Sequence, residues 1–200
     1  HLATDKYFMC EKTAVPEERR GGYRYWRAAD VLEFTSDGQG GVVFDEDGNT
    51  VEFSGYRPDC INDFALEYLS QRDENKPFFL FISQLEPHHQ NNKKSYEGYP
   101  QTVDSFKNHP IPEDLSFLKG DYNEHYADYL SAINRIDYNI KVIVEKLKAM
   151  GIYDDTVIVF TSDHGCHFKT RNLEYKRSCH DSSIHIPLTI FGGGIDGGKT

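Results

Sequence analysis

DTVIVFTSDHGCHFKTRNLEYK, residues 155–176, contains the pattern from which the fold is predicted. The run from Thr156 to Thr161 is β-branched or aromatic without interruption, which predicts a strand buried on both faces of a parallel sheet. The apolar run stops at Ser162, so Asp163 and His164 lie side by side where the strand emerges at its carboxyl end. Ligands bind at this edge in open α/β sheets. The stretch therefore predicts an α/β fold with a functional site beside Asp163.

Two interpretations of the Asp163–His164 pair follow from its position. Because Gly165 frees the backbone, both side chains can turn toward one cation. Alternatively, Asp163 caps the element that follows and His164 is a surface residue. An isolated Asp-His-Gly favours the second interpretation, so the choice depends on the rest of the chain.

Three short β-like runs precede this stretch: Val31 to Phe34, Val42 to Phe44 and Thr50 to Phe53. The connecting sequences are SDGQGG (36–41) and DEDGN (45–49), in which glycine stands with aspartate or asparagine. Such connections between apolar runs are typical of hairpin turns. The pattern predicts a small antiparallel ribbon attached to the main sheet.

The middle of the chain predicts a helix followed by a second strand. Apolar residues recur at helical spacing after Asp59, which is a candidate N-cap, and the helix is expected to end near Gln71. The run from Phe78 to Ser83 predicts another buried strand. Its carboxyl end delivers His88 and His89 to the same edge of the sheet as Asp163.

Residues 90–121 form a long polar connection, which we expect to be a loop lying over the rim of the site. Beyond it, apolar residues from Tyr126 to Leu147 recur every three or four positions. This spacing predicts an amphipathic helix of about seven turns, closed by Gly151 and covering one face of the sheet.

Composition limits the classes of function. The chain has 200 residues, 38% of them hydrophobic, and a formal net charge of −10, which argues against a nucleic-acid partner. No apolar run approaches the roughly 20 residues of a membrane span, and no signal peptide is visible. Four cysteines match no zinc pattern; Cys166 and Cys179 either pair or are free thiols, and the sequence leaves both open.

Four short segments together resemble the sulfatases of the alkaline phosphatase superfamily. The strand with Asp-His-Gly is similar to the family's late metal-binding motif, and KRSCHDSSIHIPLTIFGGG (176–194) is similar to the segment that follows it. PFFLFISQLEPHHQ (77–90) resembles the strand and Pro-His that place a leaving-group histidine. His1 and Leu2 resemble the end of the family's Gly-Lys-Trp-His-Leu segment.

The resemblance implies an alkaline phosphatase-like α/β fold, with a mainly parallel sheet flanked by helices and a small β-ribbon insertion. Residues 1–200 are then part of a single sulfatase catalytic domain. The family's early elements are not found in this sequence: the Asp-Asp pair that supplies the other metal ligands, and the Cys or Ser motif for formylglycine. We therefore interpret the chain, which opens without methionine, as a catalytically incomplete piece of a longer enzyme.

The resemblance also implies catalytic roles. Asp163 and His164 are expected to bind a calcium ion, with magnesium or another divalent cation as alternatives. His88 is the expected proton donor for the leaving oxygen, Lys176 is expected to stabilise the sulfate oxygens, and His1 is a further expected sulfate contact. The nucleophile is expected to be a formylglycine supplied by an upstream segment.

Further residues are candidates for binding the sulfated sugar: His89, His167, Lys169 and Arg171. For this basic patch, a solvated loop is an equally good interpretation. His89 is also the alternative proton donor. The expected partner is a sulfated mono-, oligo- or polysaccharide, and family resemblance implies a secreted or periplasmic location, while the oligomeric state is not predicted.

Two other functions remain open from the sequence. One is a phosphoester or phosphonate hydrolase of the same superfamily, which usually needs two metals and more His and Asp ligands than are evident here. The other is a sulfated-glycan binding protein that keeps the pocket without a nucleophile.

Overall fold

The computed structural model describes Leu2 and residues 13–198. A 3₁₀ turn, Glu17–Arg19, precedes the regular elements. In chain order these are α1 (Leu32–Thr35), β1 (Ser36–Asp37), β2 (Gly40–Phe44), β3 (Thr50–Ser54), α2 (Arg57–Gln71), α3 (Val103–Phe106), α4 (Glu113–Ser116), α5 (Tyr122–Ala149), β4 (Val157–Thr161), α6 (Asp181–Ile184) and β5 (Leu188–Gly192). Within these residues, no helix is both long and apolar enough to cross a bilayer.

The predicted antiparallel ribbon is confirmed for β2 and β3, and its third strand is β1, which lies in the predicted connection 36–41 and pairs with β2. The prediction of a β-like run from Val31 to Phe34 is wrong, because this segment leads into the one-turn helix α1. The hydroxyl groups of Thr35 and Ser36 donate to the carbonyl oxygen of Leu32 at 3.3 and 2.6 Å. Such local hydrogen bonds favour a turn over an extended strand.

Helix α2 ends at Gln71 as predicted, but it begins at Arg57, with proline in its first turn. Asp59 is therefore inside the helix and is not its N-cap. Its carboxylate instead accepts hydrogen bonds from Arg135 of α5, at 2.7 Å from Nε and 2.9 Å from the terminal nitrogen. Asn139 donates to the same carboxylate at 3.1 Å, so these contacts join α2 to α5.

The long helix α5 confirms the predicted amphipathic helix and has 28 residues. Gly151, with a left-handed φ of 70°, follows its end. The connection 90–121, predicted to be a loop over the rim, instead contains α3 and α4 and contributes Tyr96 and Leu115 to a buried cluster with Phe168. It is part of the core because its aromatic and aliphatic residues pack against α5.

The strand predicted from the 156–161 run exists as β4, but the parallel pairing predicted for it is wrong within the described residues. Its hydrogen-bonded neighbour is β5, which runs antiparallel, with Val159 opposite Ile190. Val157 and Val159 are exposed, so the strand is not buried on both faces here. An apolar run reports burial preference and carries no information on the direction of the neighbouring strand.

The run from Phe78 to Ser83 is not a strand in the part of the chain that the structure describes. Its burial alternates with a period of two, and Phe79 and Phe81 are exposed. This alternation is that of an extended backbone. Strand assignment also needs a paired neighbour, which the sequence pattern does not supply.

The contact between α2 and α5 yields a stability prediction. Asp59→Ala in the full-length protein removes a bidentate charged contact, and we expect it to lower the free energy of unfolding by about 1.5 to 3 kcal/mol in urea titrations. The matched control is Asp104→Ala, which removes an exposed pair with Lys107 and should cost less than about 0.5 kcal/mol. Equal effects of the two substitutions would contradict the role of Asp59.

Candidate active site

His88 and Lys176 meet although 88 residues separate them in the chain. The Nζ atom of Lys176 lies 3.1 Å from Nε2 of His88, and the hydroxyl oxygen of Tyr175 lies 3.1 Å from the same nitrogen. Because a lysine ammonium can only donate, Nε2 of His88 accepts, and the ring proton is assigned to Nδ1. The structure thus brings together two of the three residues predicted to be catalytic.

The environment of His88 favours its neutral form. Burial lowers the pKa of His88 below 6.5, and the charge of Lys176 lowers it further. A protonated His88 is consequently a stronger acid than free imidazolium, and it gives up its proton readily to an oxygen placed beside it.

A buried ion pair fixes the segment that carries His88. Arg57 and Glu86 have side chains that are 1% exposed, and they are joined at 2.7 Å. Arg57 also donates to the hydroxyl of Ser36 at 3.0 Å and to the side-chain oxygen of Gln90 at 3.2 Å. These contacts hold the chain on both sides of His88. The sequence offers no local signal for the pair, because its partners lie 29 residues apart.

Asp163 and His164 have the orientation expected of two neighbouring ligands. Nδ1 of His164 lies 2.7 Å from the carbonyl oxygen of Gly165 and donates to it, so the free lone pair of the ring is on Nε2. The Nε2 atom lies 3.8 Å from Oδ1 of Asp163. The Asp163 side chain is 87% exposed, so its oxygens are open to a ligand. The described residues contain no group of three or more candidate ligands. The pair therefore fits a divalent cation as part of a larger ligand set.

Gly165 allows the Asp-His-Gly turn to approach the segment 182–183. Its N–H donates to the carbonyl oxygen of Ser183 at 2.8 Å. A Cβ at this position would collide with the backbone oxygen of Ser182, so the close approach requires glycine. The contact links the two segments on which the predicted metal ligands and Lys176 lie.

A cavity of about 410 Å³ lies beside Lys176. It contains His89 and Lys169, both predicted from the sequence to bind the sugar, and five polar residues that the sequence analysis missed: Asn91, Lys94, Glu174, Tyr175 and Arg177. The complete lining is His89, Asn91, Lys94, Lys169, Leu173, Glu174, Tyr175, Lys176 and Arg177. Four of these side chains are cations and one is an acid.

The other residues predicted to bind the sugar are engaged elsewhere, which corrects part of the predicted basic patch. His167 is 0% exposed, and its peptide N–H donates to the carbonyl oxygen of Tyr175 at 2.7 Å, so its ring offers no surface to a saccharide. Arg171 donates to the carbonyl oxygen of Asp114 at 3.2 Å and does not line the cavity. His1 lies outside the described residues.

The described cysteines are free thiols, which decides between the two possibilities left open for Cys166 and Cys179. Sγ of Cys166 lies 3.0 Å from the hydroxyl of Tyr96, and burial raises the pKa of this thiol to about 11. Cys179 is exposed. Cys10 lies outside the described residues.

Comparisons with known proteins identify relatives of this chain. A family model described as Sulfatase matches residues 16–197. The chain is 29% identical over 193 residues to an ulvan-active sulfatase of Formosa agariphila, covering 91% of this chain, and 26% identical over 185 residues to an endo-4-O-sulfatase of Bacteroides thetaiotaomicron, covering 88%. It spans 36% of the length of each of these relatives.

A solved structure from a study of glycosaminoglycan metabolism by Bacteroides thetaiotaomicron superposes with a TM-score of 0.75 at 25% identity. The superposition covers 90% of this chain and 38% of that chain. This similarity confirms the predicted alkaline phosphatase-like α/β fold.

The buried ion pair gives a second stability prediction. Glu86→Gln leaves the Arg57 charge without its counter-ion, and we expect the free energy of unfolding of the full-length protein to fall by about 3 to 5 kcal/mol. Glu145→Gln, at an exposed position 3.7 Å from Lys141, is the control and should have little effect. Urea titration measures both, and a loss below about 1 kcal/mol for Glu86→Gln would contradict the importance of the pair.

Three histidines with lowered pKa values should make the free energy of unfolding depend on pH. Burial is the main cause that lowers the pKa of His88, His89 and His167 below 6.5. Below pH 6.5 the unfolded imidazoles bind protons before the folded ones do, so the free energy of unfolding should fall as the pH falls. Each histidine contributes at most about 1.4 kcal/mol per pH unit.

Urea titrations of the full-length protein at pH values from about 7.5 to about 5.5, the range in which imidazole titrates, measure how the free energy of unfolding changes with pH. His167→Gln should reduce the slope, while the control His109→Gln, at an exposed position, should leave it unchanged. A stability that is flat or rising toward pH 5.5 would overturn the assignment of neutral buried rings.

Proposed function

This chain belongs to the sulfatase family, and we propose that the protein containing it is a sulfuric ester hydrolase that releases sulfate from a sulfated carbohydrate. Residues 1–200 are proposed to form part of its single catalytic domain. The observation that carries the proposal is the 3.1 Å contact between Lys176 and His88. It lies beside the Asp163–His164 pair, with the His88 and His164 rings 6.1 Å apart.

Cleavage of a sulfate ester requires stabilisation of negative oxygens and a proton for the departing sugar oxygen. One N–H of the Lys176 ammonium is directed to His88, and its other two are available to sulfate oxygens. His88 is proposed to deliver the proton from its protonated form, in which Nε2 carries the proton and no longer accepts from Lys176. The lowered pKa makes this form a stronger acid and also a minor one at neutral pH. The Lys176–His88 pair thus combines charge stabilisation with proton transfer.

The Asp163 carboxylate and Nε2 of His164 are proposed to hold a divalent cation. The hard carboxylate oxygen suits calcium, and magnesium is the alternative. When bound, the cation supplies positive charge beside the sulfate, and a formylglycine from a further segment supplies the nucleophile, as family membership implies. Within this chain, the hydrogen bond from His164 to the Gly165 carbonyl orients the imidazole for that role.

A sulfated mono-, oligo- or polysaccharide is the proposed substrate. The functions of two relatives support this class, since one is an ulvan-active sulfatase and the other is an endo-4-O-sulfatase. The cavity supports it as well, because its lining is locally basic although the chain has a net charge of −10. A secreted or periplasmic location is proposed from family membership.

Sulfate release by the full-length protein tests the proposal. His88→Asn and Lys176→Met should each lower kcat by about 10²- to 10⁴-fold on a sulfated saccharide, because they remove the proton donor and the charge. His109→Asn and Lys107→Met, at exposed positions, are the matched controls. Peptide mass spectrometry should also find a formylglycine in the same protein.

Two outcomes would overturn the proposed function. Hydrolysis of phosphate or phosphonate esters without sulfate release indicates a phosphoesterase. Binding of sulfated saccharides with neither formylglycine nor turnover indicates a glycan-binding protein.

A further inference from the structure

Lys94 differs from Lys169 and Arg177, two other cations of the 410 Å³ cavity, because it has no ion-pair partner among the described residues. Lys169 is paired with Asp121 at 2.7 Å, and Arg177 with Glu174 at 3.0 Å. Lys176 contacts His88. Beside Lys176, to which the cleaved sulfate is assigned, the ammonium of Lys94 is therefore the second charge of this lining that is available to an anion.

The position of Lys94 is fixed by the backbone that carries it. The turn 91–94 is closed by a hydrogen bond of 2.8 Å from the Gln90 N–H to the Ser95 carbonyl oxygen. Gln90 is buried, and its side-chain amide donates to the carbonyl oxygen of Glu33 at 3.2 Å. Its side-chain oxygen accepts from Arg57. The turn of Lys94 is thus anchored to the same buried contacts that hold His88.

A second group in the cavity lacks a partner. His89 is 5% exposed, and its Nε2 has no hydrogen-bond partner among the described residues. Asn91 donates from Nδ2 to Glu33 at 3.0 Å, which leaves its Oδ1 as the acceptor for Nδ1–H of His89 at 3.3 Å. Nε2 of His89 is then a buried acceptor without a donor, in a residue that lines the cavity, and a hydroxyl of a ligand is a suitable donor for it.

We propose that the cavity binds a saccharide that carries a second acidic group, a carboxylate or another sulfate, and that Lys94 binds this group. This assignment rests on the proposed function, in which Lys176 and His88 hold the ester that is cleaved. Nε2 of His89 accepts a hydrogen bond from a hydroxyl of the same saccharide. Lys94 is then a determinant of specificity for doubly acidic substrates and has no part in the chemical step.

Charge and size support a doubly acidic ligand over a neutral one. The lining has four cations and one carboxylate, so a single sulfate leaves excess positive charge in the cavity. A volume of about 410 Å³ is within the range of small-molecule sites. An ammonium is a compact charge with three donors, which binds either a carboxylate or a sulfate.

Binding by the full-length protein tests the proposal with three probes, measured by calorimetry. They are a hexosamine 6-sulfate, the corresponding disulfated hexosamine, and a disaccharide with one sulfate and one uronic acid. The unsubstituted protein should bind at least one doubly acidic probe more tightly. Lys94→Gln should weaken that binding about fivefold and change binding of the monosulfate less than about twofold.

Lys93→Gln is the matched control. Lys93 is adjacent in sequence, but it is paired with Glu97 at 2.7 Å and Asp37 at 3.3 Å, and it does not line the cavity. It should leave the affinity for all three probes unchanged. A loss confined to the disulfated probe assigns the second group as sulfate, and a loss confined to the uronic acid probe assigns it as carboxylate.

The proposal is overturned if the unsubstituted protein shows no preference for doubly acidic probes, or if Lys94→Gln affects all three probes equally. Sulfate release is measured in parallel. Loss of discrimination in Lys94→Gln without any turnover supports the Lys94 site and rejects the proposed hydrolase. Sulfate release together with an equal effect of Lys94→Gln on all three probes supports the proposed hydrolase and rejects the Lys94 site.

Discussion

The buried ion pair between Arg57 and Glu86 is the interaction on which the site depends. Both side chains are withdrawn from water, so every polar atom that Arg57 presents must find a partner. Those partners belong to β1, to the segment of His88 and to Gln90. Since charged groups in such a position tolerate little displacement, one arginine sets the relative positions of the ribbon, the segment of His88 and the turn of Lys94.

A second set of contacts brings the later part of the chain to the same place. The His167 N–H bonds to the Tyr175 carbonyl, and the Gly165 N–H bonds to the Ser183 carbonyl. These backbone hydrogen bonds fold residues 162–183 into a compact loop after β4. As a result, Lys176 faces His88 and also borders the cavity that contains Lys94.

Features with a local cause could be predicted from the sequence. The spacing of apolar residues predicted α5, and the glycine-containing connection predicted the β2–β3 hairpin. The end of the apolar run at Ser162 predicted that Asp163 and His164 lie together after β4. Features that depend on distant partners could not be predicted. Three features depend on which remote segments come together: the direction of the strand beside β4, the Arg57–Glu86 pair and the burial of His167. The spacing of residue types along the sequence does not indicate which segments these are.

The geometry separates two tasks among residue types. In the proposed function, anion binding falls to lysine, a compact charge with three donors, while proton transfer falls to His88, whose pKa is lowered by burial and by Lys176. The acidic remainder of the chain does not cancel the basic cavity, because exposed charges beyond about 10 Å are screened. The net charge of the protein is therefore compatible with the proposed binding of an acidic saccharide at the basic lining of the cavity.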